Sequence, residues 1–218
     1  MNMYRNYLLL LGVAILLLLL TGSQCTLVIS SGDSSDKDKD EEEPPPDTVI
    51  LTSSGRFIDA PVEGLRYVTG RLRGTTGPQG EFLYDEGSSV QFYIGAIALG
   101  TPAPGKSVMT PLDLIENGTL DTPAVINIAR LLQSLDSVRG DARITLPASG
   151  DEPGLRAAET LAPVIEHLDF HDETNFVNAA SQVVATLTAD YPFTVMLVDA
   201  PTARRHLAES LAGAGIPH

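Results

Sequence analysis

Two short runs decide the fold of the central part of the chain: residues 81–84 read EFLY and residues 89–94 read SVQFYI. Apolar and polar side chains alternate along both runs, which is typical of strands with one face in a core. Gly80 stands just before the first run and can take the positive φ that a tight hairpin needs. We therefore predict a hairpin at Gly80 and a buried Phe82.

The sequence around these runs has the turn-forming residues typical of a β-rich region. From Thr48 to about Met109, glycines and prolines separate short stretches of β-branched and aromatic residues. Such stretches predict short strands joined by tight turns. Gly95, Gly100 and Gly105 are expected in turns between these strands.

From Pro111 onward the apolar spacing becomes that of helices. Thr122 and Pro123 form an N-cap followed by proline at the first helical position, and apolar side chains then recur on one face to about Asp136. Apolar residues at steps of three and four predict further helices at 155–168, 174–189 and 201–211.

Between the last two helices, residues 191–198 read YPFTVMLV. This segment fits either a short buried strand or an extended connector. Pro192 argues against a central strand position at its start, because proline cannot donate to a sheet ladder.

Together these patterns predict an α+β fold. A small antiparallel β-sandwich or half-barrel is expected at residues 48–113, and a helical region at 114–218 is expected to pack on it. The roughly 170 residues involved suffice for one domain or two small, intimately packed ones.

The amino-terminal segment has the pattern of an export signal. Arg5 precedes an apolar run from Leu8 to Leu20, which is 13 residues long, whereas crossing a bilayer takes roughly 20. Small residues then lead to Cys25, the only cysteine of the chain. Residues 1–24 thus resemble a bacterial lipoprotein signal peptide, which implies a lipid on Cys25. The alternative is an ordinary secretory leader cleaved near Ser23.

Residues 25–47 are predicted to form a disordered acidic tether. They contain Glu41–Glu43 followed by three prolines, and they have almost no apolar side chains after Ile29. Without the leader, which contains Arg5 and no acid, the chain carries 13 basic and 28 acidic side chains, a net charge of −15. This charge makes nucleic acid and anionic lipid poor partners.

Two stretches of the β-rich region resemble a known family. Residues 57–67 (FIDAPVEGLRY) and 74–82 (GTTGPQGEF) look like the opening of carboxypeptidase-regulatory-like, or transthyretin-like, β-sandwich modules. The longer string to residue 136, with 144–147 and 203–207, is similar to the amino-terminal module of poorly characterised exported lipoproteins of Gram-negative bacteria. The resemblance implies the fold and an envelope location, and it brings no catalytic residues to transfer.

One cluster in the helical region has residues suited to a metal. Residues 166–173 read EHLDFHDE, and on a continuous helix His167 and His171 would share a face, with Asp172 or Glu173 as an oxygen ligand or base. However, the helical pattern breaks after Leu168, and an aspartate there would make a good N-cap. We favour the helix–turn–helix corner over the metal site.

These patterns lead to three hypotheses about function. We prefer a non-catalytic, lipid-anchored protein of the bacterial cell envelope without a cofactor, attached to the outer membrane through Cys25, that binds a protein or glycan partner or serves a structural role. A secreted or periplasmic location is the alternative. The competing functions are a metal-dependent hydrolase that uses His167 and His171, and a small-molecule carrier with a pocket between sheet and helices. No Gly-x-Ser-x-Gly motif points to a serine hydrolase.

Overall fold

The structure is a computed structural model that describes residues 50–147 and 161–217. The expected signal peptide at 1–24, the tether at 25–47 with Cys25, and the first part of the helix expected at 155–168 lie outside these ranges. The described residues form a mixed α+β fold, as predicted.

The strands of the described residues belong to three sheets. They are, in chain order, β1 (Thr52–Phe57), β2 (Val62–Glu63), β3 (Arg66–Thr69), β4 (Leu72–Thr75), β5 (Glu81–Asp85), β6 (Ser89–Ile94), β7 (Ile97–Pro104), β8 (Val108–Met109) and β9 (Ile144–Thr145). The strand orders are β5-β1-β8, β4-β3-β6-β7 and β2-β9.

The helices lie close to their predicted positions. They are α1 (Pro123–Ser134), α2 (Glu173–Leu187) and α3 (Ala200–Gly213), with a short 3₁₀ helix at Pro111–Leu114 and a helical turn at 161–165. Residues 194–199 have no ladder partner, so the extended-connector alternative is the one observed.

Aromatic rings join the two larger sheets. Phe57 on β1 lies 4.7 Å from Phe92 on β6 between ring centroids, and Phe82 on β5 lies 5.2 Å from Phe92 and 5.7 Å from Tyr67 on β3. The inner faces of the three-stranded and four-stranded sheets therefore meet, which is consistent with a β-sandwich. The predicted burial of Phe82, which is 2% exposed, and the predicted positive φ of Gly80, 76°, are confirmed. The predicted hairpin is wrong, because β4 pairs with β3 and β5 pairs with β1, so the strands on either side of Gly80 lie in different sheets.

Two strand pairs depart from the antiparallel expectation. β1 pairs with β8 in parallel, with Phe57 opposite Met109, and β2 pairs with β9 in parallel, with Val62 opposite Ile144. Each partner strand is only two residues long, so the sequence offers no alternation from which its direction could be predicted. β9 lies in the region expected to be helical and pairs with the β-rich part.

Gly100 has a different role from the turn predicted for it. Gly95 does lie in the turn between β6 and β7, but Gly100 lies within β7 with φ 58°. A Cβ at this position would collide with the backbone oxygen of Leu114 at the end of the 3₁₀ helix. The glycine is therefore required where two segments approach closely.

Helix α1 is the centre of the helical region. It packs against α2, α3, the 3₁₀ helix and β7. Ten of its twelve residues are buried, including the polar side chains of Asn127 and Arg130. A helix that is buried on nearly all sides must pair its polar groups with other groups of the protein. The polar contacts of α1 with neighbouring elements define the candidate site.

Candidate functional site

The chain turns between the two histidines singled out by the sequence. The last helical turn before them ends at residue 165, the His167 amide donates to the carbonyl of Val164, and the His171 amide donates to Asp169 Oδ1 at 2.8 Å. Asp172 Oδ1 accepts the Asn175 amide at 2.9 Å and so caps α2. These contacts agree with the helix–turn–helix interpretation.

The same segment offers little to a metal ion. Both imidazoles are exposed, and Asp172 already serves as the cap of α2. Over residues 50–147 and 161–217, no group of three or more His, Cys, Asp or Glu side chains is placed to hold a metal. The hydrolase alternative gains no geometric support from this part of the chain.

The structure brings together a polar cluster that the sequence analysis did not single out. Asp59, in the turn after β1, is fully buried, and both of its carboxylate oxygens accept from Gln133 Nε2 of α1, at 3.2 and 3.1 Å. Its Oδ1 also lies 3.2 Å from Nδ1 of His206 on α3. Gln133 Nε2 further donates to the carbonyl of Ala203 at 3.2 Å. We call these three side chains the Asp59 cluster.

Burial and charge act together on the proton equilibria of the cluster. Burial raises the pKa of Asp59, although its hydrogen bonds with His206 and Gln133 oppose the rise. The hydrogen bond to Asp59 raises the pKa of His206, with smaller contributions from the charges of Asp59, Glu209 and Asp136. Both shifts have the same sign, so the folded protein holds protons here more tightly than the unfolded chain.

A carboxylate that orients an imidazole is also the arrangement of a general base. The His206 side chain is 41% exposed, so part of the ring reaches solvent. Within the described residues, however, no serine, threonine or cysteine forms a hydrogen bond with His206. Ser134, a buried hydroxyl of α1, donates to the carbonyl of Arg130 and accepts the Val198 amide. The cluster therefore connects the β1–β2 turn to two helices through hydrogen bonds.

The Asp59 cluster should make folding stability depend on pH. Each raised pKa stabilises the folded state below the unfolded value, 3.8 for Asp59 and 6.5 for His206, and that stabilisation is lost as pH rises through the folded pKa. We expect the free energy of unfolding to fall as pH rises above 3.8 and again above 6.5, the unfolded values of Asp59 and His206, and we expect His206→Gln to flatten the second fall. Urea denaturation at several pH values measures it, with the exposed His167→Gln as the matched control. An unchanged slope in His206→Gln would contradict the assignment.

A second buried cluster surrounds Arg130. Its Nε donates to the carbonyl of Val198 at 2.8 Å, and its Nη1 donates to Asn127 Oδ1 and to Glu173 Oε1, both at 2.9 Å. The guanidinium carbon also lies 5.1 Å from the centre of the Phe176 ring. One buried side chain thereby connects α1, the start of α2 and the connector before α3.

An open groove of about 670 Å³ lies between the amino-terminal halves of α1 and α3. Its walls are mainly apolar, with Pro123, Ile126 and Pro201 among them, and Glu173 and Arg205 also line it. The carrier hypothesis expected a pocket between sheet and helices, whereas this groove lies between helices.

No family model, curated protein or solved structure matches this chain. Among the described residues, no helix is both long and apolar enough to cross a membrane.

The clearest residue missed by sequence reasoning is Asp59. It stands in the otherwise apolar run FIDAPV at residues 57–62. An acid in such a run is a signal of buried polar partners, because an unpaired buried carboxylate is very costly. The sequence could have indicated that partners exist, but not that they are Gln133 and His206.

Proposed function

We propose that this protein is a non-catalytic module of the bacterial cell envelope, anchored to the outer membrane by a lipid on Cys25, that binds a partner in the envelope. It would be a member of the exported lipoprotein modules it resembles, with a transthyretin-like β-sandwich as its β-rich half. The signal peptide at 1–24 would direct export. The acidic tether at 25–47 would hold the folded part away from the membrane.

One observation carries the non-catalytic part of this proposal: within the described residues, the buried charged side chains already have partners in the fold. Asp59 is engaged by Gln133 and His206, and Arg130 by Asn127, Glu173 and a backbone carbonyl. A catalytic site needs polar groups that converge on a space where a substrate can react. Here they converge on each other, which favours a role for the exposed surfaces.

The anchor is tested by replacing the only thiol. We expect Cys25→Ser to abolish incorporation of an alkyne-tagged palmitate and to leave the protein either unprocessed or released from the membrane fraction. Thr26→Ser is the matched control, because it changes the neighbouring residue and keeps the thiol. A Cys25→Ser protein of mature size that still fractionates with membranes would show that the lipid-anchor proposal is wrong.

A further inference from the structure

The outer face of the four-stranded sheet has an unusual composition for so acidic a chain. Because side chains alternate along strands, the positions that share a face with Arg66 follow from the strand register. Arg66 stands between Thr75 on β4 and Tyr93 on β6, and Val68 stands between Arg73 and Gln91. Gln91 lies at a bulge in β6, is buried and donates to the carbonyls of Phe92 and Leu99, so it is not part of the exposed surface. We call the other five residues the outer face. It carries two guanidinium groups and no acid.

Two contacts fix the position of the Arg66 guanidinium group. Its guanidinium carbon lies 3.9 Å from the centre of the Tyr93 ring, and its Nε donates to the carbonyl of Gly95 at 3.3 Å. Its two terminal nitrogens donate to no group within the described part of the chain. A guanidinium fixed by stacking and by its Nε keeps its outer edge for bidentate contact with a carboxylate.

Arg73 provides a second positive charge beside it. The Arg73 side chain is exposed and forms no hydrogen bond or ion pair with any other described residue. Arg66 and Arg73 are diagonal neighbours across β3 and β4, a relation that places the two residues about 7–8 Å apart and their Cβ atoms somewhat closer. Arg71 differs from both, because Asp85 engages its guanidinium. The two available guanidinium groups therefore suit a ligand with repeated negative charges.

The acidic side chains of residues 50–110 do not outnumber the basic ones. Residues 50–110 contain five acidic and five basic side chains, so this part of the chain has no net charge. The excess of acids lies at other positions of the sequence, and those acidic charges are largely screened where they are further than about 8 Å from the two guanidinium groups at physiological salt. An anionic ligand would meet local attraction at this face.

The outer face lacks the features of an apolar protein interface. Hot spots of protein interfaces are enriched in Trp, Tyr and Arg, and the partner buries them fully, whereas the ring of Tyr93, the one aromatic residue here, is already covered by Arg66. The face presents guanidinium, phenol and threonine groups that hydrogen-bond to carboxylates and hydroxyls. These groups match a chain of acidic sugars.

We propose that the outer face binds a carboxylate-bearing polysaccharide, with Arg66 and Arg73 contacting successive acidic groups. This inference rests on the proposed function, since it names the class of the envelope partner.

Binding can be measured by titration calorimetry with the full chain in detergent at about 0.15 M salt. The probes are tetragalacturonate, the neutral maltotetraose and hexaglutamate. We expect saturable binding of tetragalacturonate and none of maltotetraose. Arg66→Gln combined with Arg73→Gln should weaken that binding at least about tenfold, because two charge-assisted contacts are removed.

Arg204→Gln combined with Arg205→Gln is the matched control, since it removes the same charge from α3. It should change affinity less than about twofold, because neither residue belongs to the outer face. Absent binding of tetragalacturonate, equal losses in the two double variants, or equally tight binding of hexaglutamate would each overturn the inference. None of these results affects palmitate labelling at Cys25, so failure of the polysaccharide site is distinguishable from failure of the anchor.

Discussion

Replacing Phe82 with alanine should lower the free energy of unfolding by about 3–5 kcal/mol. The ring is 2% exposed and contacts Tyr67, Tyr84 and Phe92, at centroid separations of 5.7, 5.8 and 5.2 Å. Truncation would remove these contacts and leave a cavity between the two larger sheets, where rigid neighbours allow only partial collapse. Urea denaturation followed by circular dichroism measures the loss.

The neighbouring residue on β5 is the matched control. Leu83 is 49% exposed and points to the opposite side of the strand. Leu83→Ala should therefore cost less than about 1 kcal/mol. A small loss for Phe82→Ala with a large one for Leu83→Ala would mean that the strand register is shifted by one residue.

Sequence patterns predicted several features that depend on residues close together in the chain. Phe82 lies in the core as the alternation predicted, Gly80 has the predicted positive φ, and Pro123 begins α1 as predicted. These features depend on residues within a few positions of each other, which sequence patterns report directly. The hairpin predicted at Gly80 is absent, since β4 and β5 belong to different sheets.

Features that depend on distant contacts were not predicted. Asp59 meets Gln133 and His206 across 74 and 147 residues, and nothing near Asp59 names those partners. The same limit applies to β9, whose two residues become a strand only by pairing with β2. Gly100 was mistaken for a turn residue, because its constraint comes from Leu114, fourteen positions further along the chain.

Of the two buried clusters, the Asp59 cluster joins the β-rich region to the helical region. The Asp59 cluster connects the turn after β1 to α1 and α3, and the Arg130 cluster connects α1 to α2 and to the connector. Buried polar groups of this kind add specificity to the packing, since any other arrangement leaves them unpaired. The outer face of the four-stranded sheet takes part in neither cluster, so its arginines are available for binding.

Replacing Arg130 with alanine should lower the free energy of unfolding by about 2–5 kcal/mol, because it leaves two buried acceptors without their donor, at about 1–3 kcal/mol each. Asn127 Oδ1 and the carbonyl of Val198 would lose their donor in a region that water does not reach easily. Arg130→Met keeps most of the apolar stem and should recover part of this loss, which separates packing from hydrogen bonding. Denaturation of the three proteins under identical conditions gives the comparison.

Arg204 provides a close control for Arg130, because it also lies on a helix and donates to a carbonyl and to a carboxylate, those of Leu120 and Asp121. Its side chain is 52% exposed whereas that of Arg130 is 7% exposed, so Arg204→Ala should cost at most about 1 kcal/mol. Glu173, which is 60% exposed, should also cost little when changed to alanine, because the carbonyl and amide contacts of Arg130 remain. Equal losses for Arg130→Ala and Arg204→Ala would contradict the view that burial, rather than the number of contacts, makes the Arg130 cluster important.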